Sequence, residues 1–203
     1  MALDSSNVRV AVTGTLSIGG DGFVAPTDPD TPLTGADDLG YFSEDGVTET
    51  RDRSTNTILG WQNGDVLREV VTEAGLTYTG TMVETKRATV ELYYGTKVAA
   101  DGSIVIVPAE SGGRHPFVLD VIDGADFIRA YIPSGEVTEV GDQVYANGEP
   151  IGYEVTIRAY PDPSLVDPET GKIGAAIKWY SNLAVPAPDE SSSASSSSSS
   201  SEA

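Results

Sequence analysis

The chain has 203 residues and a formal charge of -19, from 12 Lys+Arg against 31 Asp+Glu, with no cysteine and one histidine. An anionic surface of this size opposes a grip on nucleic-acid phosphates or on acidic membranes. The missing thiols exclude disulfides and Cys-ligated zinc, and a lone His115 excludes a multi-histidine metal site within one chain.

The start, Met1-Ala2-Leu3-Asp4, lacks the charged-then-apolar layout of a signal peptide, and no apolar run reaches the roughly 20 residues of a spanning helix. The chain is therefore expected to be made in a cytoplasm and to avoid membranes. Val8, Val10 and Val12 recur at every second position and predict a first strand, half-buried, over 8–16. From Gly19 to Asp38 the period disappears. Pro26, Pro29 and Pro32 stand there among Asp21, Asp28, Asp30, Asp37 and Asp38, which predicts a long irregular loop. Strands are expected to resume over 39–43 and 47–51. Trp61 then precedes the turn dipeptide Asn63-Gly64, a hairpin signal ahead of strands over 66–71 and 76–82.

Residues 84–94 predict the one helix. Ala88 and Leu92, and Thr89 and Tyr93, fall at i,i+4 spacing, Gly95 suits the position after the last turn, and Thr81 with Glu84 matches a capping box, unless Thr81 closes the preceding strand instead. Strands are then expected over 103–107, 116–122, 126–132, 136–145, 151–160 and 173–180. Asp101-Gly102, Asp123-Gly124 and Asn147-Gly148 mark turns between several of them. This order predicts a mainly β domain over 1–185, an antiparallel sandwich or barrel with one flanking helix. Residues 186–203 hold Pro186, Pro188 and ten serines after Asp189-Glu190, and they predict a disordered tail.

Catalytic patterns are sparse. Gly19-Gly20-Asp21-Gly22 lacks the third glycine of a dinucleotide loop, and Asp21 would repel a pyrophosphate. No G-x-S-x-G elbow accompanies His115, which lies in a Gly112-Gly113-Arg114-His115-Pro116 turn composition. The acids around Asp28 and Asp38 lack EF-hand spacing and read as solvated charge. No catalytic residue, metal or cofactor is expected.

Three stretches in order carry a resemblance: Leu39-Gly40-Tyr41-Phe42-Ser43-Glu44-Asp45-Gly46-Val47-Thr48-Glu49, Trp61-Gln62-Asn63-Gly64-Asp65-Val66-Leu67-Arg68, and Glu84-Thr85-Lys86-Arg87-Ala88-Thr89-Val90-Glu91-Leu92-Tyr93-Tyr94-Gly95. Gly148 to Thr156 and Ala159 to Asp162 extend it. Over roughly 1–183 the chain resembles the major tail, or tail tube, proteins of long-tailed, non-contractile bacteriophages, particularly those infecting actinobacteria. That resemblance implies a β-sandwich with a flanking helix, similar to type VI secretion tube proteins. It implies homo-hexameric rings stacked into a tube, part of the virion but assembled in the host cytoplasm. The tube would hold a tape measure protein in its lumen and meet terminator and tail tip proteins at its ends. Double-stranded DNA would pass through without specific binding.

Within that frame the loop 19–38 is the expected ring-stacking element, with Phe23, Asp28, Asp30, Asp37 and Asp38 its contact candidates. Trp61 is expected to anchor the core or an interface. Glu69, Glu73, Thr77 and Thr79 are the lumen-facing candidates, with Glu69 and Glu73 on one face of a straight strand. The competing lumen candidate is the stretch 136–154, which has five acids and no base. Two other readings stay open here: a sandwich-type surface module binding carbohydrate or protein, and a hydrolase built on paired carboxylates.

Overall fold

A computed structural model describes residues 7–61 and 63–183. Within them the chain runs β1 (Thr13–Val24), β2 (Thr34–Asp38), β3 (Phe42–Leu59), β4 (Val66–Met82), α1 (Arg87–Tyr94), β5 (Arg114–Asp123), β6 (Asp126–Val140), β7 (Tyr153–Ala159) and β8 (Ile177–Tyr180). The fold is mainly β and antiparallel, with one helix. The expected tail over 186–203, and so the boundary at 185, lies outside the described residues.

The strands follow the order β2-β1-β5-β6-β7-β4-β3, with β8 also on β6. One strand makes two layers of this ladder. The first half of β6, Phe127 to Ile132, pairs with β5 and β8, and its second half, Gly135 to Val140, pairs with β7. The register slips between the halves, opposite His115 and Phe117, and β6 thereby turns the corner between two packed sheets. Leu16, Phe117, Leu119, Ala130 and Ile132 from one layer meet Tyr78, Met82, Val137, Tyr153, Val155 and Ile157 from the other.

Helix α1 closes one end of this core with Leu92, and Thr89 Oγ1 donates to the Leu39 carbonyl at 2.8 Å. The helix begins at Arg87, three residues later than the pattern suggests. Thr81 lies within β4, Lys86 at the N-cap makes no side-chain cap, and Glu84 instead accepts from the Tyr41 N–H at 3.2 Å. Gly95 ends the helix at φ 66, where an added Cβ would stand 2.7 Å from the Glu110 carbonyl oxygen.

Other elements differ from their expected bounds for physical reasons. β1 starts at Thr13, and Val8, Val10 and Val12 are exposed: hydrogen bonds from the Val10 and Val12 N–H groups and the Arg9–Asp126 ion pair tie that stretch to the β5–β6 end without covering the valines. The expected loop 19–38 is mostly strand: backbone ladders need no side-chain period, and β1 runs to Val24 while β2 covers 34–38. Only residues 25–33 are irregular. Ile104 to Val107 form no ladder, and the strands expected over 126–132 and 136–145 merge into the single β6, which ends at Val140 and leaves 141–145 outside any strand.

Candidate functional site

Two surfaces stand out once the sandwich is built: one polar sheet face and one projecting ribbon. On β4, Tyr78 and Met82 point into the core, so Thr77, Thr79 and Thr81 point away from it. Their partners on β7 are Arg158, Thr156 and Glu154, and β3 sets Thr50 and Thr48 opposite Thr77 and Thr79. Thr79 and Thr156 share a hydroxyl hydrogen bond at 3.0 Å, and Thr138 donates to the Thr156 carbonyl at 3.3 Å. Glu136 stands opposite Arg158, and the Arg114 guanidinium stacks 4.0 Å above the Tyr160 ring. The result is a half-buried, hydroxyl-rich wall with charges of both signs along its border.

Beyond Thr50 and Thr77, β3 and β4 leave the body. β7 accompanies β4 only from Thr77 to Met82, so the pairing from Arg51–Leu76 to Leu59–Val66 is a two-stranded ribbon without a third strand. Asn63 and Gly64 both carry positive φ, 60 and 68, as a type I′ turn requires, and the Gly60 N–H donates to the Asp65 carbonyl at 2.7 Å. Trp61 sits at this tip and is 97% exposed. It is no part of the subunit's core.

Alternation along the ribbon breaks twice: near the tip, where Leu67 is left over between the Ile58–Arg68 and Leu59–Val66 pairs, and at Thr72. Val71 pairs with Thr55 and Glu73 with Ser54, leaving Thr72 as an extra residue, a bulge that flips the faces. Glu73 therefore shares the face of Thr77 and Thr79, while Glu69, opposite Thr57, lies on the other face with Val71 and Arg53. A straight-strand spacing of four puts Glu69 and Glu73 together; the bulge separates them.

The candidates of the 19–38 stretch are distributed over its own subunit. Phe23 lies on β1 with its ring 6.1 Å from that of Tyr131. Asp28 accepts from the Asp30 and Thr31 N–H groups at 3.0 and 2.7 Å, and the hydrogen bonding from Thr31 holds its carboxyl below the usual range. Arg129 donates to the Thr31 carbonyl at 2.6 Å while gripping both Asp120 oxygens at 2.7 and 2.9 Å. Asp37 pairs with Ile18 on β1, and Asp38 accepts from Lys86 at 3.3 Å and from the Gly40 N–H. No local pattern signals that Arg129 ties this loop down, because 98 residues separate the two partners.

At the base of the ribbon, Lys178 on β8 pairs with Glu49 on β3 and links the two layers. Burial, and then the Glu49 carboxylate, push the neighbouring Tyr78 hydroxyl well above its ordinary pKa. His115 points its Nε2 at the Gly112 carbonyl, 2.9 Å away. Among the described residues no group of three or more His, Asp and Glu could hold a metal ion.

The model of one family, described as phage tail tube protein, matches residues 1–169. The chain belongs to the phage tail tube protein family. It is accordingly a structural component of the virion tail and not an enzyme. No curated protein matches the sequence. Solved structures similar to this tail tube protein include the sheath–tube complex of PVC, an extracellular contractile injection system in its extended state, at 10% identity over 88% of this chain and 99% of that one, TM-score 0.44. The tail of an empty GTA particle, refined with C6 symmetry, is 10% identical over 79% and 96% of the two chains, TM-score 0.36. An Hcp protein is 10% identical over 82% and 98%, TM-score 0.33. No described helix is long and apolar enough to cross a membrane.

Proposed function

We propose that copies of this tail tube protein close into six-membered rings, that the rings stack, and that the hydroxyl-rich face of β3, β4 and β7 lines the bore through which the genome leaves the virion. The observation that carries this reading is the two-sidedness of that sheet. One side is the core of the subunit, and the other is an uninterrupted polar wall ending at the free edge of β3. A free edge of 18 residues invites pairing, and a closed ring of identical copies gives every edge a neighbour.

Glu73, Thr77 and Thr79 then face the bore, with Glu154 and Thr156 beside them. The wall offers hydroxyls and more carboxylates than cations, Glu73, Glu136 and Glu154 against Arg158 and Arg114, so phosphate would slide past with little to hold it. A tape measure protein would occupy the same bore before the genome does, and terminator and tip proteins would cap the ends. Ring-to-ring contact falls to the elements that project: the 25–33 loop with Asp28 and Asp30, and the longer β3–β4 arm with Trp61 at its tip.

Negative-stain electron microscopy across a concentration series tests this reading. Tubes of uniform diameter with a central channel are expected. A protein that stays monomeric at every concentration and retains a glycan would favour a surface-binding module instead.

A further inference from the structure

The sandwich is left open along one seam. Thr13 to Leu16 of β1 pair with β5 on one side, β2 joining only from Ser17 onward, and the start of β3 pairs only with β4. Between these edges lies a groove of about 660 Å³ whose floor is Leu16, Leu119, Val121, Phe42 and Val47. Leu16 and Leu119 are core residues, 2% and 9% exposed, so the groove reaches the core itself. Its rim carries Asp38, Glu44 and Glu84 against Lys86, and Lys86 is already shared between Asp38 and Glu84.

The arm has the complementary character. From Arg51 to Leu76 it holds three arginines against Asp52, Asp65, Glu69 and Glu73, close to neutral in a chain whose net charge is -19. Among the described residues none of Arg51, Arg53 and Arg68 makes an ion pair. Around the turn, Leu59, Trp61, Val66 and Leu67 are all more than half exposed. Such an apolar cluster beside unpaired cations fits a greasy cavity with an acidic rim.

We propose that the arm tip of one copy docks in the β1–β3 groove of a second copy. The copy's own groove is out of reach, because the ribbon extends about 33 Å from Thr50 to Gly60 at some 3.3 Å per residue, away from the body. Trp61 and Leu67 cover the apolar floor, and Arg68 meets the rim carboxylates, Glu44 first. Donor and acceptor are different patches, so the contact is heterologous and repeats from copy to copy. This rests on the tube reading for its partner, and it names which surface of that partner receives the arm.

The absence of cysteine makes cross-linking clean. Leu59→Cys at the tip and Tyr41→Cys at the groove, mixed and oxidised, are expected to give a covalent dimer. Leu59→Cys mixed with Lys97→Cys, which borders the separate hollow at the C-terminal end of α1, is expected to give none. Arg68→Glu added to the tip variant should cut the yield at least tenfold, and Glu44→Lys on the groove variant should restore it. If Leu59→Cys disturbs the tip, Asp65→Cys on the turn takes its place. Cross-linking at Lys97 in place of Tyr41, or none at either position, overturns the docking site. Microscopy of the unmodified protein separates the two claims: tubes with the wrong cross-link reject only the groove, whereas a Tyr41 cross-link without tubes supports the groove and rejects the tube reading.

Discussion

Arg129 serves two carboxylate oxygens and one carbonyl at once, which only a planar guanidinium fork can do. Its side chain is 11% exposed and that of Asp120 17%, so removing it strands a carboxylate in a poorly hydrated place. Arg129→Ala is expected to cost about 2–3 kcal/mol in urea denaturation, below the figure for a fully buried pair because water still reaches both groups. Arg129→Lys should recover part of that loss, since an ammonium still faces Asp120. It should still leave residues 25–33 quicker to be nicked by protease, because the reach to Thr31 is lost. Glu91 gives a pH handle. Burial raises its pKa, but hydrogen bonds from Lys97 and the Val98 N–H outweigh burial and hold it below its ordinary 4.5. A depressed folded value means that the stabilisation is present above pH 4.5 and is lost as pH falls through the folded value. The urea midpoint of Glu91→Gln should therefore change less between pH 6 and pH 3 than that of the parent protein.

The arm is an element with almost nothing to do inside its own subunit. An isolated two-stranded ribbon is marginal in water, so its order depends on what it meets. Replacing Ser54–Glu73 with Asn-Gly would join Arg53 to Ala74, which are already cross-strand partners, through a two-residue turn. The shortened chain is expected to melt within about 3 °C of the parent, a shift corresponding to about 1 kcal/mol, yet to form no tubes. Tubes from it would remove the arm from assembly. Trp61→Ala should behave alike: no loss of subunit stability by thermal melting, since the indole is exposed, but weaker assembly. The same region marks what a sequence can and cannot declare. The alternation expected over 151–160 holds within β7, where Tyr153, Val155, Ile157 and Ala159 are buried, while Ile151 lies outside the strand and is exposed. Val8, Val10 and Val12 recur at the same period and are exposed, because a period says which side chains share a side and not whether anything covers it. The hairpin turn is legible in Asn63-Gly64, whose conformational needs are local. The bulge at Thr72 is not, since nothing in Val70-Val71-Thr72-Glu73 sets one residue apart, and one extra residue is enough to move Glu69 off the candidate wall.

Across the whole molecule, charge acts at the longest range. Copies carrying -19 each repel one another, and salt shortens that repulsion from roughly 30 Å at 0.01 M to about 8 Å at 0.15 M. Under the proposed tube reading the same field, directed into a bore, would keep DNA from adhering. Glu73 and Glu154 lie on the hydroxyl-rich face with Thr77 and Thr79, whereas Glu69 lies on the opposite face of the arm. Glu73→Lys combined with Glu154→Lys should therefore turn part of the wall from repelling phosphate to holding it. Particles built with this double variant are expected to assemble but to eject DNA slowly or incompletely. Raising salt should relieve the stall steeply, because each phosphate held by a lysine releases a counterion and the dependence compounds over many contacts. Glu69→Lys changes net charge by half as much and acts on the other face, so its ejection rate should stay near that of the parent. Ejection rates measured by dye release at two salt concentrations distinguish the cases. Equal slowing by Glu69→Lys and by the double variant would mean that overall charge, and not a lining face, governs transit. Unchanged ejection by the double variant would place the wall of the bore elsewhere, with the acids of the 136–154 stretch next to be changed.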